Sequence, residues 1–136
     1  MTACYLSSFC FRRAGFFSLM AGFMFLATGC YGGKTVEAYS LATGGSAHRG
    51  AEVIQRYNCG ACHLIPGVPG ARGKVGPPLL FFSDRTFIAG EVPNTTENLI
   101  RWVRSPQSIE PNTAMPNLGL SEQEARDVAA YLYTLR

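Results

Sequence analysis

Cysteine and histidine are scarce in this chain of 136 residues, and the way they run out excludes several chemistries. Five cysteines fall at positions 4, 10, 30, 59 and 62, and the only histidines are His48 and His63. After His63 there is neither. If Cys4 and Cys10 leave with an N-terminal leader, three cysteines remain, which cannot form a disulfide framework. A zinc site would need further cysteine or histidine ligands beyond Cys62 and His63, and none follows. Charge is also sparse, at 15% of residues. The formal +3 is inflated by Arg12 and Arg13, since from position 30 onward ten basic residues face nine acidic ones. That balance carries no nucleic-acid footprint. Alternating strand patterns are missing between residues 46 and 136, and no internal repeat occurs.

The first 29 residues read as an address. Arg12 and Arg13 precede fifteen apolar or small residues, Ala14 to Thr28, and the small residues Ala27, Thr28 and Gly29 lead into Cys30. At about 1.5 Å per residue that run spans only ~22 Å, short of the ~30 Å hydrocarbon core, so cleavage of a secretion signal is expected over a spanning helix. The placement of Cys30 resembles a bacterial lipoprotein signal, in which the cysteine after the cleavage point carries lipid. Here Ala27 stands where that pattern prefers a large aliphatic residue, and Leu26 comes one residue earlier. Residues 30–45, rich in Gly, Ser and Thr, are expected to form a flexible tether.

The folded domain is expected over 46–136. Gly50, Val53, Ile54 and Tyr57 share one helical face that Ser46 would cap. That helix leads directly to Cys59. Residues 64–80 hold four prolines and four glycines, too many for a regular element. Asn94, Thr95 and Thr96 are candidate caps for a second helix carrying Leu99, Ile100, Trp102 and Val103, which Pro106 stops. Ser121 with Glu124 forms a capping box before the stripe Ala125, Val128, Ala129, Leu132 and Leu135. The fold class is therefore all-α, with three main helices and long loops. Such loops in a small domain need a large buried cofactor to pack against.

Cys59-Gly60-Ala61-Cys62-His63 is the haem-attachment signature. Two cysteines three positions apart reach two vinyl groups on one porphyrin edge, and the adjacent histidine is carried beneath the iron. A thioredoxin-like thiol pair would instead require a βαβ setting. His63 must present one ring nitrogen to iron while the other finds an acceptor, and Gly76-Pro77-Pro78-Leu79 offers rigid carbonyls. For the opposite face of the iron, Met115 is the only methionine outside the leader, within Pro111-Asn112-Thr113-Ala114-Met115-Pro116. His48, at the start of the helix that delivers Cys59, is expected to be a surface residue.

On these residues the segment 46–136 resembles the class I c-type cytochromes, small carriers of single electrons. The resemblance implies a cytochrome c fold wrapped around one covalent haem c, with His63 and Met115 as iron ligands. In that family the proline of Gly-Pro-x-Leu accepts from the ligand histidine, which maps onto Pro77. An arginine eight residues later binds a haem propionate, which maps onto Arg85. A Pro-x-x-x-x-Pro-Gly-Thr-x-Met segment matches Pro106 to Met115, with Asn112 in place of Gly on the expectation that Asn tolerates positive φ. Gly50 and Tyr131 stand where the first and last helices cross, and Trp102 where an aromatic packs beside the methionine.

Methionine against histidine closes the iron and raises its potential, which implies electron transfer and no enzymatic activity. Expected partners are redox proteins, with a terminal cytochrome oxidase inferred from the family, and a membrane through lipid on Cys30. The expected location is the periplasmic side of a bacterial membrane. Two alternatives are a fixed haem subunit of a membrane oxidoreductase and a peroxidase or gas sensor with Met115 displaced.

Overall fold

The computed structural model describes residues 33–136. The leader, Cys30 and the boundary expected after residue 29 lie outside them. Among the described residues there are four α-helices: α1 (Gly33–Thr43), α2 (Ala47–Arg56), α3 (Thr96–Arg104) and α4 (Glu122–Leu132). Single 3₁₀ turns occur at Cys59–Ala61, Phe82–Asp84 and Pro106–Ser108. The sequence shows no strand, yet Phe87–Ile88 (β1) pairs antiparallel with Val92–Pro93 (β2). Two residues each are too few to leave an alternating pattern.

The starts of the helices follow their caps. The Ser46 side chain accepts from the Arg49 N–H, and the Thr95 side chain accepts from the Asn98 N–H. Ser121 and Glu124 form the full capping box, each side chain accepting from the other's backbone N–H. The core joins Val53 and Ile54 of α2, Leu99, Ile100 and Val103 of α3, and Ala125, Val128, Ala129 and Leu132 of α4. Burying each Val, Leu or Ile side chain contributes about 1.5–3 kcal/mol.

Among the described residues, helices α2 and α4 make the most extensive contact. They touch at Gly50, where an added Cβ would lie 2.1 Å from the Asp127 carbonyl oxygen and 2.8 Å from Tyr131 Cβ. Beside this crossing Asp127 is 3% exposed. Its carboxylate accepts from Arg49 Nε at 2.9 Å, Arg49 Nη2 at 2.8 Å, the Ser46 N–H at 2.7 Å and Gln123 Nε2 at 3.2 Å. The start of α2 is thus tied to the middle of α4 by one charge. Tyr57 and Arg56 at the other end of α2 both reach Glu124.

The expected flexible tether is corrected over the described residues. Gly33–Thr43 is helical and lies along α4. Tyr39 stacks on Tyr133 with ring centroids 6.0 Å apart, Thr43 is fully buried, and Arg126 and Gln123 donate to the carbonyls of Thr43 and Gly44. Composition favoured a tether because Gly, Ser and Thr are poor helix formers. Packing overrides that weak preference.

Burial raises the pKa of Asp127, but the bonds from Arg49, Ser46 and Gln123 outweigh it, so the carboxyl lies below its usual value. Its contribution to stability is therefore fully present above about pH 5 and is lost as the pH falls below about 4. We expect thermal stability to be flat near neutrality and to drop in acid. Asp127→Asn should lower the melting temperature at pH 7 and leave a shallower acid limb, read by melts across the pH range.

Candidate haem-attachment site

Helix α2 closes at Tyr57, and Asn58 turns the chain in a left-handed conformation, φ 55°. Asn is among the few side chains that adopt it readily. The reversal starts the turn Cys59–Ala61, in which both Cys62 and His63 donate their N–H to the Cys59 carbonyl, at 3.2 and 3.0 Å. Sequence spacing is thereby converted into a tight coil that brings both thiols and the imidazole onto one short stretch of backbone. Cys59 and Cys62 are unbridged and half-buried. Burial pushes the Cys59 thiol up.

The proline- and glycine-rich loop folds back over this coil. Ile65 donates to Ala71 at 3.1 Å, Gly73 to Gly60 at 2.9 Å, Gly76 to Cys62 at 2.8 Å and Leu79 to Leu64 at 2.8 Å. The outcome is the seat of His63. Its Nδ1 lies 2.8 Å from the Pro77 carbonyl oxygen. A carbonyl only accepts, so Nδ1 carries the proton and the lone pair of Nε2 is left for a metal. Gly76 lies against the ring: a Cβ there would sit 2.4 Å from Cε1 and 2.7 Å from Nδ1. No other residue type fits without displacing the imidazole.

Arg85 is placed differently from the expectation alone. Its guanidinium donates to the Pro78 carbonyl and lies 5.2 Å from the centre of the Phe82 ring, so it braces the two prolines behind His63. Asn94 in turn holds the turn that carries Arg85, donating to the Phe82 and Arg85 carbonyls at 3.2 and 2.9 Å. Trp102 is half-buried on α3 and packs against the core. His48 is solvated, 3.6 Å from Glu52 one turn later.

Met115 sits half-buried on the loop between α3 and α4. Its carbonyl accepts from Gln107 Nε2 at 2.8 Å, and its N–H donates to Thr113 Oγ1 at 3.2 Å. The ends of the segment 107–115 are thereby joined. Gln107 was not legible in the sequence, because nothing in a glutamine after a proline marks it as a loop closure. Asn112 does not adopt positive φ, contrary to expectation. Its N–H instead donates to Glu110 Oε1 at 2.9 Å, which makes the turn without a left-handed residue. Cys30 falls outside the described residues.

These residues suit a covalent haem. They supply two unpaired thiols, an imidazole with the correct tautomer and a thioether on a closed loop, and the apolar Val75, next to Gly76 in the chain, and Leu118, three residues after Met115, are solvent-exposed. Among the described residues no group of three or more His, Cys, Asp or Glu side chains converges on a metal position, which argues against the zinc alternative. Residues 47–136 match the family model described as Cytochrome c. The chain belongs to the cytochrome c family. It binds haem c covalently, and its largely helical architecture with long loops is that of a small cytochrome c.

Three curated relatives share the description cytochrome c oxidase subunit 2. The protein from Alkalihalophilus pseudofirmus is 35% identical over 91 residues, that from Bacillus subtilis 32% over 108, and that from Bacillus sp. strain PS3 32% over 89. These alignments cover 66%, 76% and 62% of this chain but 26%, 30% and 25% of the relatives. The cytochrome thus spans a quarter to a third of the length of the proteins it matches. No solved structure matches it significantly.

Gly76→Ala is expected to leave both thioether bonds intact, with the mass of one haem retained, while displacing His63. The checks are mass spectrometry and the optical spectrum. An added Cβ 2.4 Å from the ring should convert the low-spin spectrum to a largely high-spin one.

Proposed function

We propose that this cytochrome carries single electrons on a six-coordinate haem held by Cys59, Cys62, His63 and Met115, and delivers them to a terminal oxidase. Haem iron cycles between two oxidation states and so accepts and releases one electron at a time. The remaining roles fall to the chain. Cys59 and Cys62 would carry the thioether links, His63 would ligate through Nε2, and Met115 would ligate through Sδ. The observation that carries this reading is the bracing of both ligand segments. Pro77 and Gly76 fix His63, and Gln107 closes the segment that bears Met115. Ligands held in this way stay in place when the iron changes charge, which favours outer-sphere transfer and leaves no coordination position for a substrate. In this reading the chain is not an enzyme.

Arg85 has donors beyond the one engaged by Pro78, and a haem propionate is the acceptor they fit. Residues 1–29 would direct export to the periplasmic side of a bacterial membrane, with lipid on Cys30 as the anchor. The likeness to oxidase subunits supports an oxidase as acceptor. A second reading, a fixed haem module of such a complex, is favoured by α1, which leaves little free chain between the leader and the domain. No helix of the described residues is long and apolar enough to cross a membrane.

The test is to mix reduced holoprotein with membranes that contain a terminal oxidase and follow reoxidation. Rapid, cyanide-sensitive reoxidation with matching oxygen consumption is expected. Reoxidation that is insensitive to cyanide would rule out the oxidase, and turnover of hydrogen peroxide would make the chain an enzyme.

A further inference from the structure

One corner of the domain carries apolar side chains that its own core does not use. Phe81 is 60% exposed, Leu80 beside it is 40% exposed, and Val36 on α1 is 41% exposed. Phe81 also holds a left-handed backbone, φ 51°, which is an outlier for a bulky side chain. Glycine would adopt that conformation freely. A strained aromatic residue that remains mostly in water gains little inside the domain to offset the strain.

The corner lies where α1 meets the rest of the fold. Phe82, the buried neighbour of Phe81, packs against Tyr133 with ring centroids 6.4 Å apart, and Tyr133 stacks on Tyr39 of α1. Val36 is one turn N-terminal to Tyr39 on the same face. Ser83 donates to the Leu135 carbonyl, and Arg136 donates to the Tyr39 hydroxyl, bringing a cation to the same place. This is also where the chain leaves toward its N-terminal segment. With lipid on Cys30 as the anchor, only Tyr31 and Gly32 separate the anchored residue from the start of α1. Fully extended, two residues reach at most about 7 Å.

We propose that this corner, Val36, Leu80 and Phe81 with Arg136, rests against the surface of a phospholipid bilayer. The proposal depends on the reading that lipid on Cys30 holds the chain at a membrane. A long flexible tether would let the domain tumble freely. Two residues joined to a helix packed on α4 do not, and they keep this corner near the lipid. Exposed Phe and Leu enter the headgroup boundary, and an arginine beside them pairs with lipid phosphate. The attachment coil and the Met115 segment would then be held in a set orientation above the membrane.

The test uses full-length holoprotein reconstituted into vesicles of phosphatidylethanolamine and phosphatidylglycerol, compared with the same protein in detergent. Flotation with the vesicles comes first: failure to float removes the anchoring reading and this proposal with it. If the protein floats, amide hydrogen exchange read by mass spectrometry should slow about tenfold over residues 33–41 and 79–86, with no change over 105–117. Floating without such protection would overturn the lipid contact while leaving the anchor intact. Protection seen in native membranes but not in pure lipid vesicles would assign the corner to a membrane protein instead. Protection already complete in detergent would show that the domain covers Phe81 itself and would also overturn the proposal. Phe81→Gly should keep or raise the melting temperature while abolishing the vesicle-dependent protection. A lower melting temperature would mark Phe81 as a residue of the core and contradict the proposal.

Discussion

The imidazole of His63 is held between a glycine that leaves room for its ring and a proline carbonyl that accepts a hydrogen bond from its Nδ1–H, and much of the fold serves that contact. The Cys59 coil sets where the ring begins, and the loop that returns through Gly73 and Gly76 sets where it ends. Arg85 fixes Pro78 from behind, and Asn94 fixes the turn that carries Arg85. A metal ligand oriented by a bonded partner keeps its tautomer and direction. Here the partner is backbone, so the orientation depends on how the loop is packed and cannot be lost by rotation of a side chain.

The helices provide the frame for those loops. The crossing of α2 and α4 at Gly50 joins the coil that bears the cysteines to the C-terminal helix, and the buried Asp127 locks the crossing with four donors. Helix α3 carries the chain to the closed segment that presents Met115. Covalent attachment lets about ninety residues hold a large cofactor, because the haem becomes part of the core and the loops need only line it. The same module, joined to a longer chain, fits the likeness to oxidase subunits that are three to four times its matched length.

Much of this was legible in the sequence where a local rule decides the outcome. Ser46, Thr95 and the Ser121–Glu124 box start their helices where side-chain chemistry places them. Cys59, Cys62 and His63 declare their chemistry by spacing, and Pro77 lies where a rigid carbonyl was expected. What was missed depends on contacts distant in sequence. Helix α1 reads as a tether because its partners, Tyr133, Arg126 and Arg136, lie more than eighty residues away. Gln107 is unremarkable until its side chain closes on Met115, and Asn112 makes its turn through Glu110 without positive φ.

The proposed closure of the iron by His63 and Met115 from opposite faces is the point on which the proposed function turns. The most direct measurement is the optical and magnetic circular dichroism spectrum of the oxidised holoprotein, wild type against Met115→Ala. The account predicts a low-spin wild-type spectrum with a weak sulfur-to-iron charge-transfer band in the red, no binding of carbon monoxide on reduction, and loss of the band in the variant. A high-spin wild type that binds carbon monoxide readily, with a spectrum unchanged by Met115→Ala, would contradict it.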